Sequence, residues 1–479
     1  MGLTQIGASI LAALLVGALP KGHRDDVTRG AIRVYFLLAL SVLAVYWFQP
    51  AVPLRSFDFW IPSLSLVLVI LTWFITAQAG AWKSRQNIIG LSIIVGGVAL
   101  VDITRYIFPD PFITTTTTPR LIIVLGFFAL TALAISTFTI LSRRIAFTLS
   151  LAIILLISIL LILKSPFLSL QTSILFRTLI NRPIESASAL ELRWLGFSYI
   201  TFRLIHVLRD KQTGRLPELT LPEFATYVVF FPSLSAGPID RVERFATDLK
   251  KDFALTQDET LLAGQRIAIG LFKKFVVADA LALIALNDAL VTQVRTTGWM
   301  WIILYAYTFQ IYFDFSGYTD IAIGIAQLVG IKLPENFASP YTKPNLTQFW
   351  NSWHITLTQW IRAYFFNPFN RWIRGYKSLP AWAMLLLGQL ATMSLIGLWH
   401  GITVNFIIWG AWHGLGLFLQ NRWSDFSMRR FNTNNARLQS ALQVGGILLT
   451  FHFVALGWVF FALGEPSLSW HVFLRLFGS

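Results

Sequence analysis

The stretch GLWHGITVNFIIWGAWHG, residues 397–414, sets His400 and His413 in a run without a charged side chain. A neutral imidazole takes a proton from a hydroxyl near physiological pH, and an ionisable group inside an apolar segment is costly enough to point to function. Gly397 and Gly401 flank His400 and let backbone or a ligand come close to its ring. A second Trp-His pair, Trp353 and His354, lies in FWNSWHITLTQW. Asn351 precedes His354 by three residues, and on a helix the two share a face. His413 reads as structural, since one proton acceptor suffices for most transfers. His206, in FRLIHVLRD, reads as interfacial, near a basic end. Asp314 and Asp320, in IYFDFSGYTDIAIG, lie about 600° apart around a helix that Gly317 is placed to break. Buried hydrogen-bond or salt-bridge roles suit them, with orientation of a catalytic group the sharper alternative. GPIDR, residues 237–241, reads as a structural turn.

The elements that must position these residues follow from composition. Of 479 residues, 55% are hydrophobic and only 13% charged, with a mean hydropathy of +0.64. Such a chain belongs in a membrane. Ile145 to Leu163 is uncharged between Arg144 and Lys164, close to the ~20 residues of a spanning helix. Similar runs at 34–54, 59–82, 121–142, 378–421 and 438–464 lead to an all-α polytopic fold of roughly eleven to thirteen crossings, the longer runs folding as two elements. The N-terminal apolar stretch lacks a basic leader and a small-residue cleavage site, so it reads as a first membrane segment. Alternation of basic loops puts the N-terminus outside and Arg209, Lys211 and Arg215 inside, after a crossing made by residues 191–208. Residues 221–245 are too short in apolar sequence and too rich in Pro and Gly for a crossing, and read as a re-entrant or broken helix. Residues 345–375 repeat aromatic and aliphatic side chains at helical spacing, interrupted by Arg362, Arg371 and Arg374. That pattern predicts an interfacial or partly buried helix.

The net charge of +15 would raise the question of nucleic acid in a soluble protein, but here the basic residues collect in short loops between spans. With no cysteine there is no disulfide, no thiolate metal site and no acyl-cysteine intermediate. No metal site is expected. The threonine run 114–118 reads as a bounded loop. A proton-coupled transporter or flippase of an envelope precursor is the rival class, opposed by the lack of an internal repeat; an inactive scaffold is the second rival.

In the segments FFPSLSAGPIDRVERF, YFDFSGYTDIAIGIAQLVGIKLPENFASPY, FWNSWHITLTQWIRAYFF and GLWHGITVNFIIWGAWHG, from about residue 190 to 422, the chain resembles the membrane-bound O-acyltransferase family. GFSYITFR and GPIDR draw it toward the branch that transfers D-alanine to teichoic acid, with the alginate O-acetylase branch as near relative. The resemblance implies helices around a central tunnel, His400 as catalytic histidine and His354 as the second functional histidine on the other side of that tunnel. It implies an acyl thioester donor, carried on phosphopantetheine of a carrier protein or on coenzyme A, with no tightly bound cofactor. The acceptor is then a hydroxyl of an envelope glycopolymer, the surroundings are membrane lipids, and the location is the plasma membrane of a bacterium. Asn351, Trp353, Trp399, Asp314 and Asp320 are supporting candidates, while Arg362, Arg371 and Arg374 are candidates for contact with the donor or its carrier. Ala363 stands where relatives usually carry Asp. Residues 1–180 read as an N-terminal scaffold, 181–425 as the acyltransferase core, and 426–479 as a C-terminal membrane segment and tail.

Overall fold

Long apolar stretches without period-two alternation satisfy their peptide groups locally, and the chain does so as helices. The computed structural model describes residues 2–19, 27–111, 113–141, 145–376, 379–430 and 435–478. Part of the first basic loop, residues 20–26, and Arg143 and Arg144, which bear on the expected orientation, lie outside the described residues. Among the described residues there is no β-strand.

Two compact units are present, Met1–Ile267 with Ala322–Pro334, and Ala268–Ile321 with Glu335–Ser479. The first contains α1 (Leu3–Gly17), α2 (Val27–Trp47), α3 (Phe57–Thr76), α4 (Arg85–Ile107), α5 (Leu121–Leu141), α6 (Ile145–Lys164), α7 (Pro166–Leu179), α8 (Phe197–Gln212), α9 (Leu221–Val228) and α10 (Val242–Lys250). α11 (Gln257–Leu271) runs out of it. The second contains α12 (Asp279–Ala282), α13 (Asp288–Gln293), most of α14 (Thr297–Leu328), α15 (Leu346–Trp350), α16 (Ile355–Ile361), α17 (Asn367–Ile373), α18 (Ala381–His400), α19 (Val404–Arg430), α20 (Ala436–Ala462) and α21 (Pro466–Leu476). α3, α4, α6, α18 and α20 contain stretches long and apolar enough to cross a membrane. α6 and α20 also turn large apolar side chains outward, among them Phe147, Ile154 and Leu449, as lipid-facing helices do. The protein is a multi-pass membrane protein.

In the first unit, α9 packs against α2, α3, α4 and α10. Thr220 caps it reciprocally with Glu223. Beyond α9 the backbone is irregular through Phe231–Ser233 to Arg241, a broken helix as the Pro/Gly pattern predicted. Backbone of that kind needs internal partners away from water. Arg203 of α8, buried, donates to the carbonyls of Tyr227 (3.3 Å), Val228 (2.8 Å) and Ser233 (2.9 Å) and to Ser233 Oγ (2.7 Å). The expected crossing at 191–208 is shifted: Gly196 takes a positive φ of 68°, the helix begins at Phe197, and its 16 residues lie almost wholly inside protein.

The threonine run proves to be a clamp. Asp58, buried in the first turn of α3, accepts from Thr115 Oγ1 (2.8 Å), Thr116 N (2.6 Å) and Thr116 Oγ1 (2.5 Å). Three donors on one carboxylate at a helix N-terminus fix the 114–118 loop to α3.

In the second unit, the antiparallel pair α18 and α19 forms the main packing. Gly410 and Gly414 let the helices approach: a Cβ at Gly410 would lie 2.6 Å from Ser394 Cα, and one at Gly414 2.9 Å from Leu390 Cα.

Removing the guanidinium with Arg203→Met should lower the unfolding midpoint of the detergent-solubilised protein by several degrees, since each lost charged hydrogen bond is worth ~1.5–3 kcal/mol. Arg203→Lys should recover only part of it; an unchanged midpoint in a thermal scan of Arg203→Met would contradict this role.

Candidate active site

The segment 345–375, read from sequence as one helix, is broken where the chemistry lies. Asn345 caps α15, which ends at Trp350, and His354 adopts φ 43°, ψ 53° before α16 begins. A non-glycine residue there is uncommon and carries strain that the surroundings must hold. The turn is held by Asn336, whose carbonyl accepts from Ile355 N (2.9 Å) and whose Oδ1 accepts from Thr356 Oγ1 (2.6 Å). The Ser352 carbonyl accepts from Ala338 N at 3.0 Å. The i, i+3 argument for Asn351 and His354 therefore fails, because the backbone between them is not helical. Asn351 Oδ1 instead accepts from Arg362 Nη2 at 2.7 Å. Beyond α16, residues Arg362–Phe366 form a π-turn leading into α17, a feature found often at functional sites.

His354 is buried, with its ring edge-on to Phe315 at 4.8 Å between centroids. It lies in a segment too short to cross, and burial pulls its imidazole down to about 3. His400 is the last residue of α18, half-buried, with Gly401 extended beyond it. Its ring lies among Trp399 (4.5 Å), Phe461 (4.7 Å), Trp409 (5.8 Å) and Phe406 (5.9 Å). Trp399 also meets His354, at 6.2 Å. One indole thus touches both histidines, though they lie 46 residues apart in sequence.

The other candidates divide. Trp353 is a packing residue, buried against Phe337, Tyr341, Phe349 and Trp458. Asp320 accepts from Lys273 Nζ at 2.7 Å and Asp314 pairs with Lys274, the salt-bridge role expected; Asp314, however, is half exposed rather than buried. Gly317 does not break the helix. α14 runs through it, and a Cβ there would lie 2.8 Å from the Gly270 carbonyl. Gly317 therefore lets the Lys273–Lys274 segment approach the two aspartates. Sequence reasoning missed both lysines, although two adjacent charges in the apolar run GLFKKFVV called for acidic partners. It also missed Asn336, which carries no local signal.

Arg362, Arg371 and Arg374 are exposed, on the π-turn, on α17 and just past the end of α17 respectively. Arg362 also borders a cavity of about 270 Å³ lined by Trp350, Thr358, Gln389, Met393 and Ile396. Among the described residues Trp350 Nε1 and Gln389 Oε1 are buried there without a hydrogen-bond partner, and Ile396 lies one turn before His400. His413 is enclosed by Trp350, Trp409 and Phe453, and neither ring nitrogen is hydrogen-bonded among the described residues. His206 is not interfacial: it is 1% exposed, held by Tyr227 Oη and Asp210. The basic end in its sequence belongs to the far turn of α8, while α9 and α10 cover the ring.

Residues 146–463 match the model of the membrane-bound O-acyltransferase family. The chain belongs to that family. As a membrane-bound O-acyltransferase it is an acyl-transferring enzyme, which displaces the transporter reading. It is 34% identical over 280 residues to the teichoic acid D-alanyltransferase of Bacillus subtilis, covering 57% of this chain and 69% of that protein. It is 36% identical over 288 residues to the probable alginate O-acetylase of Pseudomonas aeruginosa, covering 59% of this chain and 51% of the relative. The peptidoglycan O-acetyltransferase of Helicobacter pylori is 37% identical over 243 residues, 50% of this chain and 43% of the relative. The matched part thus spans about half the length of the latter two acyltransferases.

Because burial favours the neutral ring, His354 should stay unprotonated where an ordinary histidine titrates, and its folded form resists the proton that the unfolded chain takes up as pH falls through about 6.5. That difference makes His354 a source of instability on acidification, growing from about pH 6.5 down to about 3. Its ring resonances, assigned by comparison with His354→Gln, should not move between about pH 5 and 8; a titration near 6.5 would contradict the buried neutral state.

Proposed function

We propose that this acyltransferase moves a D-alanyl or acetyl group from an intracellular thioester to a hydroxyl of an envelope polysaccharide or teichoic-acid-like polymer, with His400 as general base. The observation that carries the reading is the meeting of His354 and His400 on the Trp399 ring. An imidazole nitrogen of His400 takes the hydroxyl proton as the oxygen attacks the thioester carbonyl. As the tetrahedral intermediate collapses, the C–S bond breaks and the imidazolium returns the proton to the leaving thiolate. The acyl–oxygen ester and a free thiol result, with no covalent enzyme intermediate.

His354, kept neutral by burial, positions or polarises a reactant without adding charge. The aromatic enclosure of His400 limits the water that competes for the thioester. The membrane of a bacterium is the setting this acceptor requires, and the named relatives that modify envelope polymers support such an acceptor. The donor is carried on phosphopantetheine of a carrier protein or on coenzyme A. Arg371, exposed on α17, Arg374, exposed just past its end, and Arg362 at the cavity rim supply charge-assisted contacts to its phosphate or to an acidic carrier.

Alkali-labile esters on purified envelope polymers, identified by mass spectrometry, test the reaction. His400→Ala at equal membrane abundance should lower one acyl ester by about 10²–10⁴-fold, the range for a lost general base, without loss of folded protein. The lost mass names the acyl group; an unchanged ester profile would remove His400 from the chemistry.

The arginines are tested separately. Replacing Arg362, Arg371 and Arg374 together by Gln should raise the KM for the thioester donor about tenfold or more while changing kcat little, as expected for uniform binding. An unchanged donor KM would exclude the proposed contact.

A further inference from the structure

Away from the histidine pair, His206 and Asp210 of α8 meet Glu243 of α10, three potential donor atoms all within 4.8 Å of one another. We propose that these three side chains bind one divalent transition-metal ion of the zinc class, which fastens α8 to α10 beside the GPIDR turn.

The argument begins with the proton on His206. Tyr227 Oη gives its only hydrogen to the Asp240 carbonyl at 2.8 Å. At 3.1 Å from His206 Nδ1, the same oxygen can then only accept, so Nδ1 carries a hydrogen and donates it. This leaves Nε2 as the atom that faces the carboxylates, 3.0 Å from Asp210 Oδ2 and 3.9 Å from Glu243 Oε2. A bare lone pair there would oppose two negative groups, so the position requires a cation, either a proton or a metal.

Glu243 distinguishes the two. A proton on Nε2 reaches Asp210 Oδ2, but 3.9 Å is beyond a hydrogen bond to Glu243 Oε2. That oxygen is buried and accepts no hydrogen bond among the described residues, although the side chain as a whole is 38% exposed. A metal ion satisfies all three atoms at once. Tetrahedral bonds of 2.0–2.2 Å hold neighbouring donors about 3.4 Å apart, and the two distances bracket that value. One imidazole and two carboxylates suit zinc better than a harder ion that asks for six or more oxygens.

The surroundings agree. Nδ1–H to Tyr227 and Tyr227 to the Asp240 carbonyl form the outer relay that orients a metal-binding imidazole. Nearby cations have other partners: Arg244 pairs with Asp240 and Asp248, and Lys250 with Glu223. Arg215 reaches Asp210 at Oδ1, leaving Oδ2 turned to the ring, and is itself 64% exposed. The exposed part of Glu243 provides an entry path and room for water as fourth ligand.

The test uses the purified full chain, stripped with a chelator and dialysed against Zn²⁺. One zinc per chain by elemental mass spectrometry, a raised unfolding midpoint with zinc, and the visible spectrum of tetrahedral Co²⁺ on cobalt substitution are expected. Glu243→Gln and His206→Gln should each weaken zinc binding about 100-fold or more, and Tyr227→Phe by about 10–100-fold. Glu243→Gln keeps the size of a partly exposed side chain, so it tests the site even where His206→Gln fails to fold. No stoichiometric zinc in the wild type, or unchanged zinc affinity in Glu243→Gln, would overturn the proposal and leave Nε2 as a protonated partner of Asp210 alone.

Discussion

A peptide group removed from water must find its partner within the protein, and this constraint governs where the helices of this chain are allowed to break. In the first unit the break after α9 exists because Arg203 supplies four hydrogen bonds to the backbone and Ser233 around it. In the second, the turn at 351–354 exists because Asn336 accepts from Ile355 and Thr356 while Ala338 donates to Ser352. Without these partners both segments would be driven back toward regular helix or out toward water. His354 would then lose the left-handed backbone that starts α16 under its ring.

Charge obeys the same economy. Four carboxylates of the apolar segments lie against cations or dense hydrogen-bond donors: Glu191 against Arg177, Asp320 against Lys273, Asp314 against Lys274, Asp58 against the threonine loop. Histidines 354, 400 and 413 lie instead among aromatic rings. An imidazole suits that enclosure because it can be buried neutral, whereas an unpaired carboxylate or ammonium would be far more costly. For the proposed reaction, this keeps fixed charge off the ring faces of the base and lets it take a proton when a hydroxyl is presented.

What was legible in the sequence was what chemistry and period alone express. Uninterrupted apolar runs gave helices at α3, α5 and α6 close to their expected places, and the split of 378–421 into α18 and α19 followed from length. The Pro/Gly density of 221–245 marked the broken helix. His354 and His400 stood out because an imidazole in apolar sequence is rare. The misses share one cause: His206, Lys273, Lys274, Asn351 and Asn336 take their roles from residues far away in the chain or from backbone that leaves the helical period. A face calculated for Asn351 and His354 has no meaning once Ser352 and Trp353 turn the chain.

The sequence by itself determined the solvent, the helical class and the candidate bases, because composition, run length and rare ionisable groups are properties of short windows. Tertiary structure decided which of those groups meet. The Trp399 contact that joins His354 to His400 arises only when the turn before α16 and the end of α18 are packed together. The pairing of Lys273 and Lys274 with α14 likewise needs the close approach of Gly270 and Gly317. Such contacts join residues tens of positions apart, and no local propensity or periodicity encodes a distance across that gap.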